Sequence, residues 1–273
     1  MRPAWSWQFE PEALKRIRPL NLPVPLSKDW AWGNADGAGV KVAVVDSGID
    51  AGHPWVGRLA GAVALEHDTG ADGEVRLVQG EHGDLFGHGT ACAGIIRRVA
   101  PEVELYSVRV LGARLTGKGT VFAAGLRWAI DNGMNVVNLS LSTAKRDYFA
   151  LFHEMADEAY FKHIMLVTAI NNLPGPSYPS QYSSVFSVAA HERGDPYGFD
   201  YNPSPPVEFG APGIGVQVAW LGGATAEVTG NSFAAAHVSG LIARILSRHP
   251  GLTPFQMKTV LHALADNTEP GAG

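Results

Sequence analysis

The sequence has one cysteine, no long apolar run and no excess of basic residues, and each shortage excludes a class of protein. With Cys92 alone among 273 residues, no internal disulfide can form, which fits a reducing compartment. No apolar run approaches the roughly 18 residues of a transmembrane helix. The 21 basic and 26 acidic residues give a net charge of −5, and the basic residues are scattered. Nucleic acid and membrane surfaces are therefore not expected partners.

The first residues, MRPAWSWQFEPEALKR, also lack the charged head, apolar stretch and small-residue cleavage site of a secretory signal. We therefore predict a cytoplasmic protein, or a secreted one if the chain is a trimmed mature form. The 46% apolar content is enough for one large core, and we expect a monomer.

Apolar, β-branched runs alternate along the chain with helical patterns. The runs predict strands at 40–45, 104–111, 135–142, 164–170 and 185–190. The patterns between and after them predict helices at 88–97, 119–132, 148–162, 232–248 and 254–265. Thr253 is the expected N-cap of the last helix, with Pro254 at its first position. This alternation predicts an α/β fold with a mostly parallel sheet covered by helices on both faces.

Three short segments carry the residue types of nucleophilic catalysis. Asp46 ends the apolar run VAVVDSGID, His88 lies between glycines in GHGTACAG, and Ser232 begins the helical stretch NSFAAAHVSGL. A serine hydroxyl needs an imidazole to accept its proton and a carboxylate to orient that imidazole. Singly, each residue has an ordinary explanation: a turn aspartate, a structural histidine and a helix-capping serine. Together, in the order Asp, His, Ser, they indicate a serine endopeptidase.

These three segments resemble the three motifs of the subtilisin-like serine proteases, the subtilases or peptidase family S8. The resemblance extends from about residue 20 to residue 266 and implies a three-layer fold. It implies a peptidase domain at 21–266, with an amino-terminal extension at 1–20 and a tail at 267–273. By position, it makes Asp46 the orienting carboxylate, His88 the general base and Ser232 the acylated nucleophile, acting on a peptide or protein substrate.

The resemblance also implies an asparagine side chain in the oxyanion hole. The strand here ends in VTAINN, and an ungapped match makes Asn172 the donor, with Asn171 where the family has glycine. The alternative, Asn171 as donor, would place Ile170 in the glycine position. Since asparagine tolerates a positive φ better than isoleucine, we favour Asn172.

Substrate binding in this family adds an extended peptide between two enzyme segments. By position these segments are Gly117-Lys118-Gly119 and Ser140-Leu141-Ser142, although a turn and a strand end would look the same. The specificity pocket would be lined by residues around Ala169 and Asn171 and by Ser177-Tyr178-Pro179. Because Asn171 replaces glycine, we expect small or unbranched side chains before the scissile bond.

Two departures from the family pattern affect these expectations. Ala236 stands where the serine motif has proline. Alanine would let the first turn of the helix that follows Ser232 relax, and this could favour attack by amines on the acyl-enzyme. A peptide ligase or cyclase is therefore one alternative function, and a non-catalytic peptide-binding module is another. The stretch IIRRVAPEVELYSV leaves no room for the family's calcium-binding insertion. We expect no metal or other cofactor; Asp68, Asp72 and Glu74 could bind calcium, but a solvated loop explains them equally.

Overall fold

The structure, a computed structural model, describes residues 6–15, 22–23, 25–67 and 74–268. Within these ranges the strands are β1 (Lys41–Asp46), β2 (Gly61–His67), β3 (Val75–Gln79), β4 (Glu104–Arg109), β5 (Val136–Leu139), β6 (Met165–Ala169), β7 (Phe186–His191), β8 (Asp200–Tyr201), β9 (Phe209–Pro212), β10 (Val216–Ala219) and β11 (Thr225–Val228). The helices are α1 (Pro11–Leu14), α2 (Lys28–Ala31), α3 (His88–Val99), α4 (Gly119–Asp131), α5 (Phe149–Phe161), α6 (Asn231–Arg248) and α7 (Pro254–Leu264).

Nine of these strands form one sheet, in the order β3-β2-β4-β1-β5-β6-β7-β9-β8. All neighbouring pairs are parallel except β2 with β3 and β8 with β9, at the two edges. β10 and β11 form a separate antiparallel pair. The mostly parallel sheet confirms the predicted α/β class.

Helices cover both faces of the sheet. Because successive side chains of a strand point to opposite faces, each strand contributes to two cores. Val42 and Val44 of β1 pack into the core that contains α3, α6 and α7. Ala43 and Val45 pack into the second core, with α4 and α5. The molecule therefore has the three layers that the resemblance implied.

The carboxyl ends of β1, β5 and β6 lie side by side. Val45 is paired with Leu139, and Leu139 is paired with Thr168. Asp46, Ser140 and the residues after Ala169 consequently meet at one edge of the sheet, where open α/β sheets bind ligands.

All five predicted strands and all five predicted helices are present, with differences at their ends. The predicted strands 104–111 and 135–142 were too long, because pairing stops at Arg109 and Leu139. The sequence patterns missed β2, β3 and the short strands β8 to β11. Thr253 caps α7 as expected, and Gln256 completes a capping box.

Residues 1–5, 16–20 and 269–273 of the predicted terminal segments lie outside the described residues. Asn267 exchanges hydrogen bonds with both backbone groups of Tyr201, so contacts with the domain reach the start of the predicted tail. Among the described residues, no helix combines the length and apolar character needed to cross a membrane.

Candidate active site

A buried hydrogen-bonded pair, Asp46 and His88, lies at the carboxyl end of β1. The Nδ1 atom of His88 is 2.8 and 2.9 Å from the two carboxylate oxygens of Asp46. Asp46 is fully buried, and its Oδ1 also accepts a hydrogen bond from the backbone N–H of Ser47 at 2.7 Å. With Nδ1–H assigned as the donor to the carboxylate, Nε2 is the nitrogen available to accept a proton.

Glycines allow the first turn of α3 to approach β1 this closely. A Cβ atom at Gly89 would collide with the carbonyl oxygen of Gly48 and lie 3.2 Å from the Cβ atom of Asp46. Gly87, just before the helix, has φ of 110° and packs against the ring of Trp220. The glycines that flank His88 in the sequence thus permit the contact between imidazole and carboxylate.

The environment of His88 raises the pKa of its imidazole above 6.5. Burial alone would lower this pKa, because it disfavours the charged form. The charge and hydrogen bond of Asp46, with the charge of Asp84, outweigh burial. The site therefore stabilises the protonated imidazole that a general base forms when it accepts a proton.

Ser232 is the second residue of α6, and its hydroxyl donates to the backbone carbonyl of Ser140 at 3.0 Å. Within the described part of the chain, no hydrogen bond joins this hydroxyl to His88. The Ser140 hydroxyl in turn donates to the carbonyl of Ser232 at 3.0 Å and accepts from Asn138 at 2.9 Å. Ser239, two turns along α6, donates to the same Asn138 side chain. These contacts fix the start of α6 against the end of β5.

The two candidate oxyanion asparagines make different contacts. The Asn172 Oδ1 atom accepts from the backbone N–H of Asn231 at 3.0 Å, which leaves its Nδ2 group as donor beside Gly230. The Asn171 side chain instead accepts from the backbone N–H of Leu173, within its own turn. Asn171 is not among the described residues with positive φ, so the reason we gave for placing it in the glycine position was wrong.

A cleft of about 640 Å³ runs past His88 and Ser232. It is lined by every residue predicted for substrate binding: Gly117, Lys118, Gly119, Ser140, Leu141, Ser142, Ala169 and Asn171. Asn172 lines it as well. Ser177, Tyr178 and Pro179 do not, which corrects their expected place in the pocket wall. Ser177 is buried and accepts a hydrogen bond from the backbone N–H of Asn171, so it supports the wall from behind.

Among the described residues, the one cluster with several potential metal ligands is Asp46, His88 and Cys92. Their ligand atoms lie within 4.8 Å of one another, and all three residues are buried. The Asp46 carboxylate and His88 Nδ1 already bond each other. Burial raises the pKa of the Cys92 thiol well above its usual range, so the metal-binding thiolate is disfavoured. The cluster fits a metal poorly. Asp68 and Asp72, of the possible calcium loop, lie outside the described residues.

Several residues at this site were missed by the sequence reasoning. Asp84 accepts hydrogen bonds from the segments that carry Asp46 and His88, and Asn138 connects β5 with α6. Asp84 lies three residues before Gly87, the N-cap position of α3, so the usual capping rule did not mark it. The partner of Asn138 on α6, Ser239, lies 101 residues away along the chain, and no local pattern could reveal it.

Ala236, which replaces a proline of the family pattern, is fully buried inside α6. The helix runs without interruption from Asn231 to Arg248. The relaxed first turn that we predicted from Ala236 stays a prediction.

Comparison with known proteins places this site in a family context. A family model described as "Subtilase family" (Peptidase_S8) matches residues 37–272. A solved structure described as a cold adapted subtilisin-like serine proteinase superposes with a TM-score of 0.67 at 27% identity. That match covers 92% of this chain and 89% of the other.

Two curated relatives illustrate the similarity in sequence. Subtilisin Savinase of Lederbergia lenta is 33% identical over 82% of this chain and 82% of its own length. The thermostable alkaline protease of Halalkalibacterium halodurans is 33% identical over 84% of this chain. The match spans only 63% of the length of that alkaline protease. The relatives named here are proteases, which favours peptide hydrolysis over the ligase and binding-module alternatives.

Proposed function

The chain belongs to the subtilase family, and from this membership we propose that it is a serine endopeptidase acting on peptide or protein substrates. The observation that carries the proposal is the buried hydrogen bond between Asp46 and His88, on the same cleft as Ser232. The comparisons do not support the predicted cytoplasmic location. The alternative is a secreted protein, of which this chain would be the trimmed mature form. In this proposal the reaction uses these side chains alone and needs no cofactor.

In the first step, the Ser232 hydroxyl leaves the Ser140 carbonyl and turns toward Nε2 of His88. As the oxygen attacks the substrate carbonyl carbon, its proton passes to Nε2, and Asp46 stabilises the imidazolium through Nδ1–H. The imidazolium then protonates the leaving amine as the peptide C–N bond breaks. Water, deprotonated by the same imidazole, hydrolyses the ester on Ser232 and restores the hydroxyl.

Negative charge develops on the substrate carbonyl oxygen during each attack. The N-terminus of α6 carries Ser232 and offers backbone N–H groups and the positive end of a helix dipole. We assign the side-chain donor of this oxyanion hole to Asn172, because its Oδ1 is held by Asn231 and its Nδ2 is available. Donors fixed before the reaction stabilise the transition state without reorganisation.

The cleft walls are suited to an extended peptide. Gly117 to Gly119 precede and begin α4, and Ser140 to Ser142 continue beyond the last paired residue of β5. Backbone groups on both sides can pair with the substrate main chain, which requires no particular side chains. A preference for small or unbranched side chains before the scissile bond remains our prediction for the wall at Ala169 and Asn171.

Intact-mass spectrometry after treatment with an active-site phosphonylating reagent tests this function. We expect one adduct on the wild type and none on Ser232→Ala, because only an activated hydroxyl reacts. Ser204→Ala is the matched control, since Ser204 is exposed and does not line the cleft. Equal labelling of the wild type and Ser232→Ala, or no labelling of a folded wild type, would contradict the proposal.

A further inference from the structure

The carboxylate of Asp84 accepts five hydrogen bonds from two separate segments of the site. Its Oδ1 atom accepts from the Ser47 hydroxyl at 2.8 Å, and from the backbone N–H groups of Phe86 and Gly87 at 2.9 and 2.8 Å. Its Oδ2 atom accepts from the backbone N–H and the hydroxyl of Thr90, at 2.8 and 2.6 Å. Such a number of donors is typical of a carboxylate that holds its neighbours in place.

One set of these contacts caps the helix that carries His88. Gly87, the residue in the N-cap position of α3, has no side chain to cap the helix. Asp84 takes this role, because it binds the N–H of Thr90, the third helical residue. The Ser47 hydroxyl binds the N–H of Gly89, the second helical residue, at 3.1 Å. Side chains outside α3, those of Asp84 and Ser47, thus fix its first turn, which His88 begins.

The other contacts reach the segment that carries Asp46. Ser47 follows Asp46 directly and is fully buried. Its hydroxyl donates to Asp84, and its carbonyl accepts from the backbone N–H of Leu85 at 3.0 Å. Asp84 therefore bridges the end of β1 and the start of α3. These two segments also meet at the hydrogen bond between Asp46 and His88, which are 42 residues apart in the sequence.

Asp84 also contributes charge to the imidazole environment. Its carboxylate is one of the groups that raise the pKa of His88. Within the part of the chain that the structure describes, the other titratable groups close to His88 are Asp46 and Cys92, and the thiol of Cys92 stays neutral because burial raises its pKa. The ring of Phe233, on α6, faces the imidazole with centroids 5.5 Å apart and carries no charge. Removal of the Asp84 charge alone should thus be visible in the titration of His88.

We propose that Asp84 is a positioning residue: it holds His88 and Asp46 in register through Ser47 and Thr90, and adds a second negative charge beside the imidazole. It has no contact with the nucleophile and does not line the cleft. Its kinetic consequence rests on the proposed peptidase function, whereas its effect on His88 does not.

The first test is Asp84→Asn, which keeps the shape of the side chain, removes its charge and turns an amide N–H₂ group toward N–H donors. We expect kcat to fall about 10²-fold, the loss that roughly 1 Å of misplacement causes, with little change in KM. We also expect the pKa of His88 to fall, so that the acid limb of the kcat/KM profile moves to lower pH. NMR titration of histidine-labelled protein, with His88→Gln to assign the signal, measures the same pKa without any substrate.

Asp195→Asn is the matched control, because Asp195 is exposed and accepts a backbone N–H from Tyr197 on a loop that does not line the cleft. It should leave kcat and the His88 titration unchanged. If Asp84→Asn behaves like this control in both measurements, Asp84 does not position the pair. A fall in kcat with an unchanged titration and a parallel rise in KM would mean a general loss of structure and would also overturn the proposal.

Ser47→Ala covers the case in which Asp84→Asn does not fold. It removes one hydroxyl from the bridge and leaves the charge of Asp84 in place. We expect a lower kcat with an unchanged His88 titration, and wild-type kcat in this variant would overturn the proposal. If the wild type itself proves inactive, the peptidase proposal fails, and the NMR titration of Asp84→Asn still decides the role of Asp84.

Discussion

Three asparagines of the site have different roles because their hydrogen-bond partners differ. Asn231 holds the start of α6 to the strand end: its Oδ1 accepts from the N–H of Ala190, and its Nδ2 donates to the carbonyl of Ile170. Asn171 closes its own turn, and Asn172 accepts from the backbone of Asn231. The orientation of Asn172 is therefore set by α6, the helix that carries the nucleophile.

Alanine substitution of each asparagine distinguishes the two oxyanion candidates. Asn172→Ala should lower kcat about 10²- to 10³-fold with little change in KM, a magnitude known from subtilisin itself. Asn171→Ala should lower kcat less and should alter the preference for the residue before the scissile bond. Steady-state kinetics on a peptide series measures both. A larger loss of kcat in Asn171→Ala would reverse the assignment.

At the scale of elements, long buried segments were predictable and short exposed ones were not. The run at β1 is apolar because both faces of the strand are covered, and α6 begins directly after Gly230, with Asn231 and Ser232 ahead of a run rich in alanine. β3 was missed because four of its five residues are exposed and Arg76 interrupts its short apolar run. β9 contains a proline and has only four residues. Such short or exposed strands depend on tertiary pairing more than on their own sequence.

The capping box of α7 permits a prediction at this scale. Thr253→Ala should lower the free energy of unfolding by about 1 kcal/mol, because the N–H of Gln256 loses its partner at the helix start. Thr259→Ala is the control on the same helix, since its hydroxyl only bonds the carbonyl of Phe255, one turn before. Urea denaturation compares the two, and equal losses would mean that the cap contributes nothing.

At the scale of the whole molecule, the acidic chain has a cleft without acidic side chains. The net charge is −5, yet the described residues that line the cleft include Lys118 and Lys145 and no aspartate or glutamate. Both lysines are exposed. Lys118 is 2.8 Å from Nε2 of His67, and neither lysine has an ion-pair partner in the described part of the chain.

This charge distribution predicts a preference for acidic peptides. Replacing a glutamate by lysine in an otherwise identical peptide should lower kcat/KM roughly threefold to tenfold at low salt, and less at high salt. The double variant Lys118→Glu, Lys145→Glu should reverse the preference. Arg58→Glu, at an exposed position that does not line the cleft, should not change it. A preference that does not change with salt concentration and that persists in the double variant would exclude this explanation.

Stability in acid should depend on His237, which is buried in α6. Burial lowers the pKa of this imidazole to about 4, with a further contribution from the charge of Arg98. Because the unfolded histidine binds a proton near pH 6.5, the unfolded state gains protons between pH 6.5 and 4. The free energy of unfolding should fall by about 2–3 kcal/mol over that window through this residue alone.

Chemical denaturation between pH 4.5 and 7 measures this effect. His237→Asn should flatten the pH dependence by that amount, although the variant is less stable at pH 7. The control His163→Asn, at an exposed residue, should keep the wild-type slope. An unchanged slope in His237→Asn would show that other groups cause the acid sensitivity.

The order of the site residues along the chain has a consequence for biosynthesis. Asp46 and His88 are translated well before Ser232, which lies on α6 (Asn231–Arg248). About 140 residues separate the base from the nucleophile, on the order of 10 s of translation at about 5–20 residues per second. No nascent fragment that stops before Ser232 can cleave a neighbouring chain by this mechanism, so peptide hydrolysis cannot begin until α6 has been synthesised.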